Sequence, residues 1–366
     1  MIIGTGLIGT SAGLALRGLG VRVWLADGDP GTARMAAHLG AGDVHPAAVP
    51  DSGPADLAVL AVPPDAVAPV LAAAQSAGLA RCYTDVASVK ASPLAQVRAL
   101  GCDLASYVPG HPLAGRERSG PAAARADLFQ GRPWALCPLA QTAPGALASV
   151  RSLIDALGAE PVLTEAAEHD RWVALVSHTP HLVAAAMAAR LAAAPPGALT
   201  LAGQGLRDVT RVAAGDTGLW TQILTANAAG VSEVLSRVAD DLRAAADALA
   251  GCAAADQPGA PGAALTGLLE TGVAGVARIP GKHGRPAARY AIVQVVIPDQ
   301  PGELARLFQA AGEAGVNIED IAIEHSPGLP SGVADLSVKP AAAVPLATAL
   351  SAAGWPASTT QSGSVS

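Results

Sequence analysis

The sequence is poor in aromatic residues, in charge and in cysteine. Phe, Trp and Tyr make up 3% of the 366 residues, and charged residues make up 14%. A net charge of -7 and the lack of any basic cluster argue against a nucleic-acid-binding surface. The four cysteines are scattered and form no Cys-x-x-Cys pair, which excludes a disulfide framework and is typical of a reduced, cytoplasmic protein.

Long uninterrupted apolar runs are also missing, although hydrophobic residues make up 51% of the chain. The longest runs, residues 57–74 and 182–199, are broken by proline and charged residues. Neither reaches the roughly 20 residues that a membrane span needs. The opening MIIGTG has no basic segment of the kind that begins a signal peptide, and it reads as a strand. We therefore expect no membrane association.

Three sequence patterns follow one another along the chain. Residues 1–164 alternate apolar strands with Ala-rich helices, which predicts an α/β Rossmann domain with a parallel sheet. Residues 165–252 show only helical patterns and are predicted to form an all-α substrate and dimerisation domain. A Pro/Gly/Ala-rich linker with one short helix covers 253–287. Strands and helices alternate again over 288–355 as an α+β unit, and 356–366 are predicted to be a disordered tail.

The loop after the first strand has the glycine pattern of a dinucleotide site. The glycines of this G-x-G-x-x-G motif are Gly4, Gly6 and Gly9. They permit a tight turn, close approach of the pyrophosphate, and close packing of the helix whose first amides, at Leu7 and Ile8, face the phosphates. Asp27 ends the next strand, where a carboxylate binds the ribose 2′-hydroxyl, and Gly28 follows where NADP enzymes often carry arginine. The pattern predicts NAD, and Asp85 at another strand end is expected to face it too.

Five further segments are more specific than the glycine loop. They are TDVASVK at 84–90, GHPLAGRERSG at 110–120, HDR at 169–171, SHTPH at 177–181 and GLRDVTR at 205–211. Together they resemble the prephenate dehydrogenase family over residues 1–250. The segments DQPGEL at 299–304 and GVNIED at 315–320 resemble an ACT domain, which some members of this family carry. The resemblance implies oxidative decarboxylation of prephenate to 4-hydroxyphenylpyruvate with reduction of NAD, a step of tyrosine biosynthesis.

This reaction needs a base for the C4 hydroxyl proton, a nicotinamide facing C4, and a cation that holds the carboxylates. His111 precedes a proline in a Gly-flanked loop and is the expected base, since an ordinary pKa of about 6.5 suits proton acceptance near neutrality. The resemblance implies that His111 contacts the C4 hydroxyl and that Ser88 hydrogen-bonds either His111 or that hydroxyl. A helix N-cap is the alternative role for Ser88.

The helical segment supplies the expected substrate contacts. Arg211 is the predicted carboxylate clamp, with a surface ion pair as the alternative. His178 and His181 lie three residues apart on one helix face, and at least one of them is expected to hydrogen-bond the pyruvyl group, with core histidines as the alternative. No carboxylate or thiolate at ligand spacing joins them, so no metal site is expected. Trp220 resembles an aromatic wall of the side-chain pocket, and Glu117 is expected to pair with an arginine and gate it.

Several alternatives stay open at this point. Thr179 stands where the family usually has leucine, which leaves the choice between prephenate and arogenate undecided. An arogenate dehydrogenase would give tyrosine directly, and a catalytically silent NAD and amino-acid sensor is a rival of another class. A 3-hydroxy-acid dehydrogenase is disfavoured, because such enzymes typically use a lysine in the helical domain and residues 165–250 contain none.

Assembly and regulation follow from the two later segments. The Ala- and Leu-rich helices of the middle segment predict a homodimer. In the ACT-like segment, Gly302 opens a helix and Asn317 begins the next strand, so both are expected to bind an amino-acid effector. L-tyrosine is the natural hypothesis for that effector, and stabilisation of the dimer is the alternative role of the domain.

Overall fold

The computed structural model describes residues 1–45, 53–115, 118–254, 263–279, 290–325 and 330–360. The chain forms two compact units, residues 1–244 and 245–366, each with its own hydrophobic core. Glu117 lies outside the described residues, so its predicted gating role stays a prediction.

The first unit begins with a six-stranded sheet in which every neighbouring pair is parallel. Its strands are β1 (Ile2–Ile3), β2 (Trp24–Ala26), β3 (Asp43–Val44), β4 (Ala55–Leu60), β5 (Ala80–Asp85) and β6 (Tyr107–Val108). The helices of this part are α1 (Leu7–Gly18), α2 (Pro30–His38), α3 (Val67–Ser76), α4 (Ala91–Ala99) and α5 (Pro144–Ala156). The strand order β3-β2-β1-β4-β5-β6 is that of a Rossmann fold, which confirms the predicted class.

A second, three-stranded sheet corrects one expectation about the catalytic segment. It contains β7 (Gly110–Pro112), β8 (Pro133–Leu136) and β9 (Glu160–Leu163) in that order. The segment around His111 was expected to be a loop, but it pairs antiparallel with β8, His111 opposite Ala135. Pro112 is compatible with this strand because β7 lies at the sheet edge, where a missing N–H costs no ladder bond.

The rest of the first unit is helical in its described residues, as predicted. The helices are α6 (Ala166–Val173), α7 (Thr179–Leu191), α8 (Pro196–Leu199), α9 (Gln204–Thr210), α10 (Thr217–Ala226) and α11 (Ala228–Ala254). A π-helical turn, Ala174–His178, joins α6 to α7 just before Pro180, whose ring lacks the N–H that a regular helix interior needs. By length and composition the run Ala166–Leu191 could cross a membrane, and within it the buried His169 and Asp170 bond protein groups.

The second unit contains a helix followed by a β-α-β-β-α-β arrangement. Its elements are α12 (Ala263–Val276), β10 (Ala291–Pro298), α13 (Glu303–Glu313), β11 (Asp320–His325), β12 (Ser331–Val338), α14 (Pro340–Ala352) and β13 (Ala357–Thr360). The strands form one antiparallel sheet in the order β11-β12-β10-β13. Alternate residues of β10, among them Val293 and Val295, are buried against α13 and α14, which accounts for the period-two pattern in the sequence.

The predicted disordered tail is wrong in its first part. Residues 357–360 form β13, which pairs with β10 from Val295 opposite Ala357 to Ile292 opposite Thr360. Without this strand β10 would present an unpaired edge, and the Ser and Thr residues of the tail can supply the missing hydrogen bonds. Residues 361–366 lie outside the described part.

Candidate active site

The glycine loop between β1 and α1 has room for a ligand on one side only. Gly4 has a φ of +97°, and a Cβ there would lie 2.2 Å from the carbonyl oxygen of Ala61. A Cβ on Gly9 would lie 2.0 Å from the carbonyl oxygen of Gly4, so both positions require glycine. A Cβ on Gly6 would meet nothing within 4 Å, which leaves this backbone open to an approaching pyrophosphate. The residues present therefore fit a dinucleotide.

Asp27 lies beside this loop, where the carboxylate for the ribose was predicted. Its Oδ2 accepts hydrogen bonds from the backbone N–H of Thr5 at 2.6 Å and from the Thr5 hydroxyl at 2.8 Å. Its Oδ1 accepts from the Asp29 N–H at 2.9 Å. The carboxylate is half-buried and keeps further lone pairs, so it can still accept from a ribose hydroxyl. Thr5 was not singled out from the sequence, because its contact lies 22 residues away along the chain.

The predicted cofactor contact of the Asp85 side chain is wrong. Asp85 is fully buried, and its oxygens accept from the ammonium of Lys90, the Tyr107 hydroxyl at 2.6 Å and the Ala87 N–H at 2.9 Å. Burial, followed by the neighbouring Asp85, raises the pKa of the Tyr107 phenol well above its ordinary value, so this hydroxyl is a donor. The Asp85 side chain therefore stabilises the protein interior and does not face a ligand.

Lys90 connects this buried carboxylate to the strand that carries the predicted base. Its ammonium, which is itself fully buried, also donates to the Gly110 carbonyl on β7. A Cβ on Gly110 would lie 3.0 Å from the Asp85 carbonyl oxygen, so β7 is pressed against the end of β5. His111 follows Gly110 directly and is thus positioned at the carboxyl edge of the nucleotide-binding sheet, where ligands of such sheets bind.

His111 belongs to a chain of three hydrogen-bonded side chains. Its Nδ1 lies 2.9 Å from Nε2 of His169, and Nδ1 of His169 lies 2.8 Å from Oδ1 of Asp170. Asp170 also accepts from the backbone N–H groups of Lys90 and Ala91, each at 2.8 Å, and so caps α4. The described contacts of Nε2 of His111 include no hydrogen bond, so this nitrogen is available to a substrate.

Ser88 takes neither of the two structural roles that were expected for it. It is half-buried in the segment between β5 and α4, and the N-cap residue of α4 is Lys90. The α4 amides are bonded by the Asp170 carboxylate, and the partner of His111 among the described residues is His169. A contact of Ser88 with the substrate hydroxyl stays a prediction.

The protonation states of this chain follow from burial and charge. Burial lowers the pKa of His111 well below its ordinary value, and the neighbouring His169, Lys90 and His178 lower it further. Burial alone would raise the pKa of Asp170, but hydrogen bonds from His169, Ala91 and Lys90 lower it overall. At neutral pH, His111 is therefore a neutral imidazole and Asp170 a carboxylate.

His178 has a free hydrogen-bond donor. The amide nitrogen of Asn227 donates to the Asp170 carbonyl at 2.7 Å, so the same NH₂ group faces Nδ1 of His178 at 3.1 Å. Nδ1 therefore accepts, and the proton of the neutral ring lies on Nε2. Burial lowers the pKa of His178 to about 4, which keeps the ring neutral. Nε2 of His178 and the Thr179 hydroxyl are buried without a partner among the described residues.

His181 and Trp220, both predicted to contact the substrate side chain, lie together, and their contacts with a substrate stay predictions. Their rings stack with centroids 3.5 Å apart and planes 10° from parallel. A Cβ on Gly215 would lie 2.5 Å from Nε1 of Trp220 and 3.2 Å from Cε1 of His181, so this segment packs against both rings. Arg211 begins the 3₁₀ turn Arg211–Ala214 that leads into Gly215 and packs on α7. The structure thus brings the predicted clamp, histidine and tryptophan to one region.

A dinucleotide cradle and a neutral histidine with an available ring nitrogen, both at the carboxyl edge of one parallel sheet, define a Rossmann-type dehydrogenase. Among the described residues, no group of three or more His, Cys, Asp or Glu side chains is placed to hold a metal ion. Sequence reasoning missed the roles of Lys90, His169 and Asp170, although all three stand in motifs that it had noted.

Family models agree with this class. The model described as prephenate dehydrogenase, nucleotide-binding domain, matches residues 12–163, and that described as prephenate dehydrogenase, dimerization domain, matches residues 165–257. The chain belongs to the prephenate dehydrogenase family.

Individual relatives support the same assignment. The probable prephenate dehydrogenase NovF of Streptomyces niveus is 44% identical over 360 residues, which cover 98% of each chain. The cyclohexadienyl dehydrogenase of Zymomonas mobilis is 35% identical over 68% of this chain and 87% of its own. Among solved structures, arogenate dehydrogenase of Synechocystis has a TM-score of 0.59 at 28% identity, covering 75% of this chain and 97% of its own. Prephenate dehydrogenase of Aquifex aeolicus, in complex with hydroxyphenyl propionate and NAD+, has a TM-score of 0.64 at 25% identity, covering 75% and 96%.

Proposed function

We propose that this chain is an NAD-dependent prephenate dehydrogenase, which converts prephenate to 4-hydroxyphenylpyruvate in tyrosine biosynthesis in the cytoplasm. The observation that carries the proposal is the geometry of His111. It is buried, neutral, hydrogen-bonded through Nδ1 and available at Nε2, at the same edge of the sheet as a loop that fits a dinucleotide. A neutral imidazole with one available ring nitrogen is what a general base requires.

In the proposed reaction the cofactor accepts a hydride and the protein accepts a proton. When bound, NAD supplies the acceptor for the hydride that leaves C4. Nε2 of His111 takes the proton of the C4 hydroxyl as the C=O bond forms. In this proposal Ser88 contacts the same hydroxyl. The ring carboxylate then leaves as CO₂, its bonding electrons aromatise the ring, and the oxygen regains a proton to give the phenol. Arg211 holds a carboxylate of the substrate during these steps.

Asp27 supports NAD as the preferred cofactor. Its half-buried carboxylate is held beside the glycine loop by Thr5 and Asp29, where it accepts from a 2′-hydroxyl and repels a 2′-phosphate. Gly28, which follows, offers no cation to compensate such a phosphate.

The donor on His178 favours prephenate over arogenate. Because Nδ1 accepts from Asn227, the unpaired Nε2 carries a hydrogen and can bond only an acceptor, such as the keto oxygen of a pyruvyl group. The corresponding group of arogenate is an ammonium, which is itself a donor. Arogenate dehydrogenase, the activity named for the Synechocystis neighbour, is therefore the second candidate.

The helical domain is proposed to form a homodimer. Trp172, Leu175 and Val176, on α6 and the π-helical turn, are 47%, 60% and 66% exposed in the single chain. An exposed apolar group of this kind is typical of a protein interface, and the matching family model is described as a dimerization domain.

For the second unit we propose an ACT-like regulatory role with L-tyrosine as effector. A surface cavity of about 400 Å³ lies between α13 and β11 and is lined by Phe308, Gly312, Asn317 and Glu319 among others. Asn317 lines it as expected, whereas Gly302, the N-cap residue of α13, is not among the lining residues. Asn317→Ala should weaken inhibition by tyrosine, and Gln309→Ala, on the same helix but outside the cavity lining, is the matched control. Inhibition that is equal in both variants would assign tyrosine to the active site.

NADH formation tests the proposed activity directly. The absorbance of NADH is followed with prephenate and with arogenate, each with NAD and with NADP. We expect the highest kcat/KM with prephenate and NAD. Preference for arogenate would establish the second candidate, and no turnover of either substrate would favour a silent nucleotide-binding sensor.

A further inference from the structure

The partner of His111 suggests a role for two residues that the proposed function leaves unused. We propose that His169 and Asp170 are positioning residues that hold His111 in the tautomer with a bare Nε2 facing the substrate hydroxyl. The inference rests on the proposed role of His111 as the base. It assigns to His169 and Asp170 no contact with substrate or cofactor.

The direction of each proton follows from the acceptor at the end of the chain. Oδ1 of Asp170 accepts from Nδ1 of His169 at 2.8 Å, so His169 carries its proton on Nδ1. With its ring proton on Nδ1, His169 presents the lone pair of Nε2 to Nδ1 of His111, 2.9 Å away. Nδ1 of His111 must therefore donate, and its own lone pair lies on Nε2. One carboxylate thus determines the tautomer of a histidine two side chains away.

Asp170 is held firmly enough to serve as the fixed end. Its Oδ1 also accepts from the Lys90 N–H and its Oδ2 from the Ala91 N–H, each at 2.8 Å, at the first turn of α4. Its carbonyl accepts from Asn227 on the other side at 2.7 Å. The amides at this helix terminus favour a negative charge, so the carboxylate stays ionised although it is buried.

The same chain stabilises the state that follows proton transfer. Once Nε2 of His111 has taken the hydroxyl proton, the ring is a cation whose Nδ1–H still donates to Nε2 of His169, and Nδ1–H of His169 donates in turn to the Asp170 carboxylate. The other groups near the ring, Lys90 and His178, oppose its charge, and the Lys90 ammonium is paired with Asp85. Without an acceptor at Nδ1, the ring is free to carry its only proton on Nε2, where it blocks catalysis.

Two substitutions of His169 separate the acceptor from the bulk of the ring. His169→Phe keeps an aromatic ring but removes both nitrogens, whereas the carbonyl oxygen of Gln in His169→Gln can still accept from His111. His38→Phe is the matched control, since His38 is an exposed histidine on α2 whose ring contacts the Arg34 carbonyl, away from the predicted site. The holoenzyme is used throughout, and circular dichroism checks the folding of each variant.

We expect His169→Phe to lower kcat by about 10²–10³ with KM changed by less than about threefold, since a wrongly protonated base loses most general-base catalysis. His169→Gln should keep at least about a tenth of wild-type kcat. His38→Phe should match wild type. A kcat for folded His169→Phe within about threefold of wild type would overturn the inference.

Ring ¹⁵N spectra give a readout that does not depend on turnover. The His111 signals are assigned by their loss in His111→Asn. They should show a protonated Nδ1 and bare Nε2 in wild type and His169→Gln, and a protonated Nε2 in His169→Phe. An unchanged Nδ1–H in His169→Phe would overturn the inference. If His169→Phe does not fold, an unprotonated Nδ1 of His111 in His169→Gln would overturn the inference instead. Full activity of His111→Asn would instead refute the proposed base, whatever the spectra show.

Discussion

His169 and His178 lie on the same run of helix but differ in how many of their ring nitrogens are hydrogen-bonded within the protein. His169 has both ring nitrogens engaged, one by His111 and one by Asp170. His178, nine residues further on, has Nδ1 engaged by Asn227 but Nε2 buried without a partner among the described residues. Burial lowers the pKa of His111, the partner of His169, and the pKa of His178, so both present neutral rings.

The difference indicates that the two histidines have different roles, one in positioning the base and one in binding the substrate. An unpaired buried donor costs free energy, on the order of 1–3 kcal/mol, unless a ligand completes it. The cluster around His169 is complete within the protein, so its function is to hold a base in place. The cluster around His178 becomes complete only with an acceptor from outside, as expected for a substrate pocket. Substitutions in the two clusters should therefore affect kcat and KM differently.

The largest effect is expected for His111→Asn. The variant keeps a hydrogen-bonding side chain but loses the proton acceptor, so kcat should fall by about 10²–10⁴ while NAD affinity is unchanged. Steady-state kinetics and a nucleotide titration measure the two quantities, with His38→Asn as control. A variant that keeps more than about a tenth of wild-type kcat would show that His111 is not the base.

Arg211→Gln should act on binding. Loss of a charge-assisted pair with a substrate carboxylate should raise KM for prephenate by about 10–100-fold with a smaller change in kcat. Arg207→Gln, an exposed arginine on the preceding α9, is the matched control. An unchanged KM would assign Arg211 to the protein surface.

His178→Leu should reduce discrimination between substrates. It removes the Nε2 donor but leaves Asn227 bonded to Asp170, so KM for prephenate should rise by about 3–30-fold, as for one lost hydrogen bond. KM for arogenate should change little, because an ammonium makes no use of that donor. Equal changes for both substrates would contradict the proposed role of His178 in choosing the keto group.

The smallest effect is expected for pH, because kcat/KM should not change between neutral pH and about 6.5. His111 acts as the neutral base, and its pKa is lowered below the ordinary 6.5, chiefly by burial. It therefore stays deprotonated as pH falls through 6.5, so kcat/KM should remain level there and decline only at lower pH. Circular dichroism over the same range separates this limb from unfolding. A decline with an apparent pKa at or above 6.5 would show that burial does not control this group.

Local chemistry made much of the site predictable. The glycine loop, Asp27 and the alternation of strands and helices follow from short segments whose spacing reflects their own backbone geometry. The β-α-β-β-α-β unit was also visible as alternating patterns, apart from β13. The four residues of β13 have no apolar pattern, so the sequence did not predict a strand there. They pair because the edge of β10 offers unbonded backbone groups, and not because the tail itself has a strong strand propensity.

The sequence by itself determined the reaction class, because residues that contact a common cofactor or substrate must keep their chemical type. Only the tertiary structure decided which side chains meet. It placed His169, 58 residues from His111, where Ser88 had been expected, and it buried Asp85 against Lys90 in the protein interior. Such partners depend on how α6 packs on the nucleotide-binding domain, and a hydrogen bond between distant segments leaves no periodic pattern along the chain.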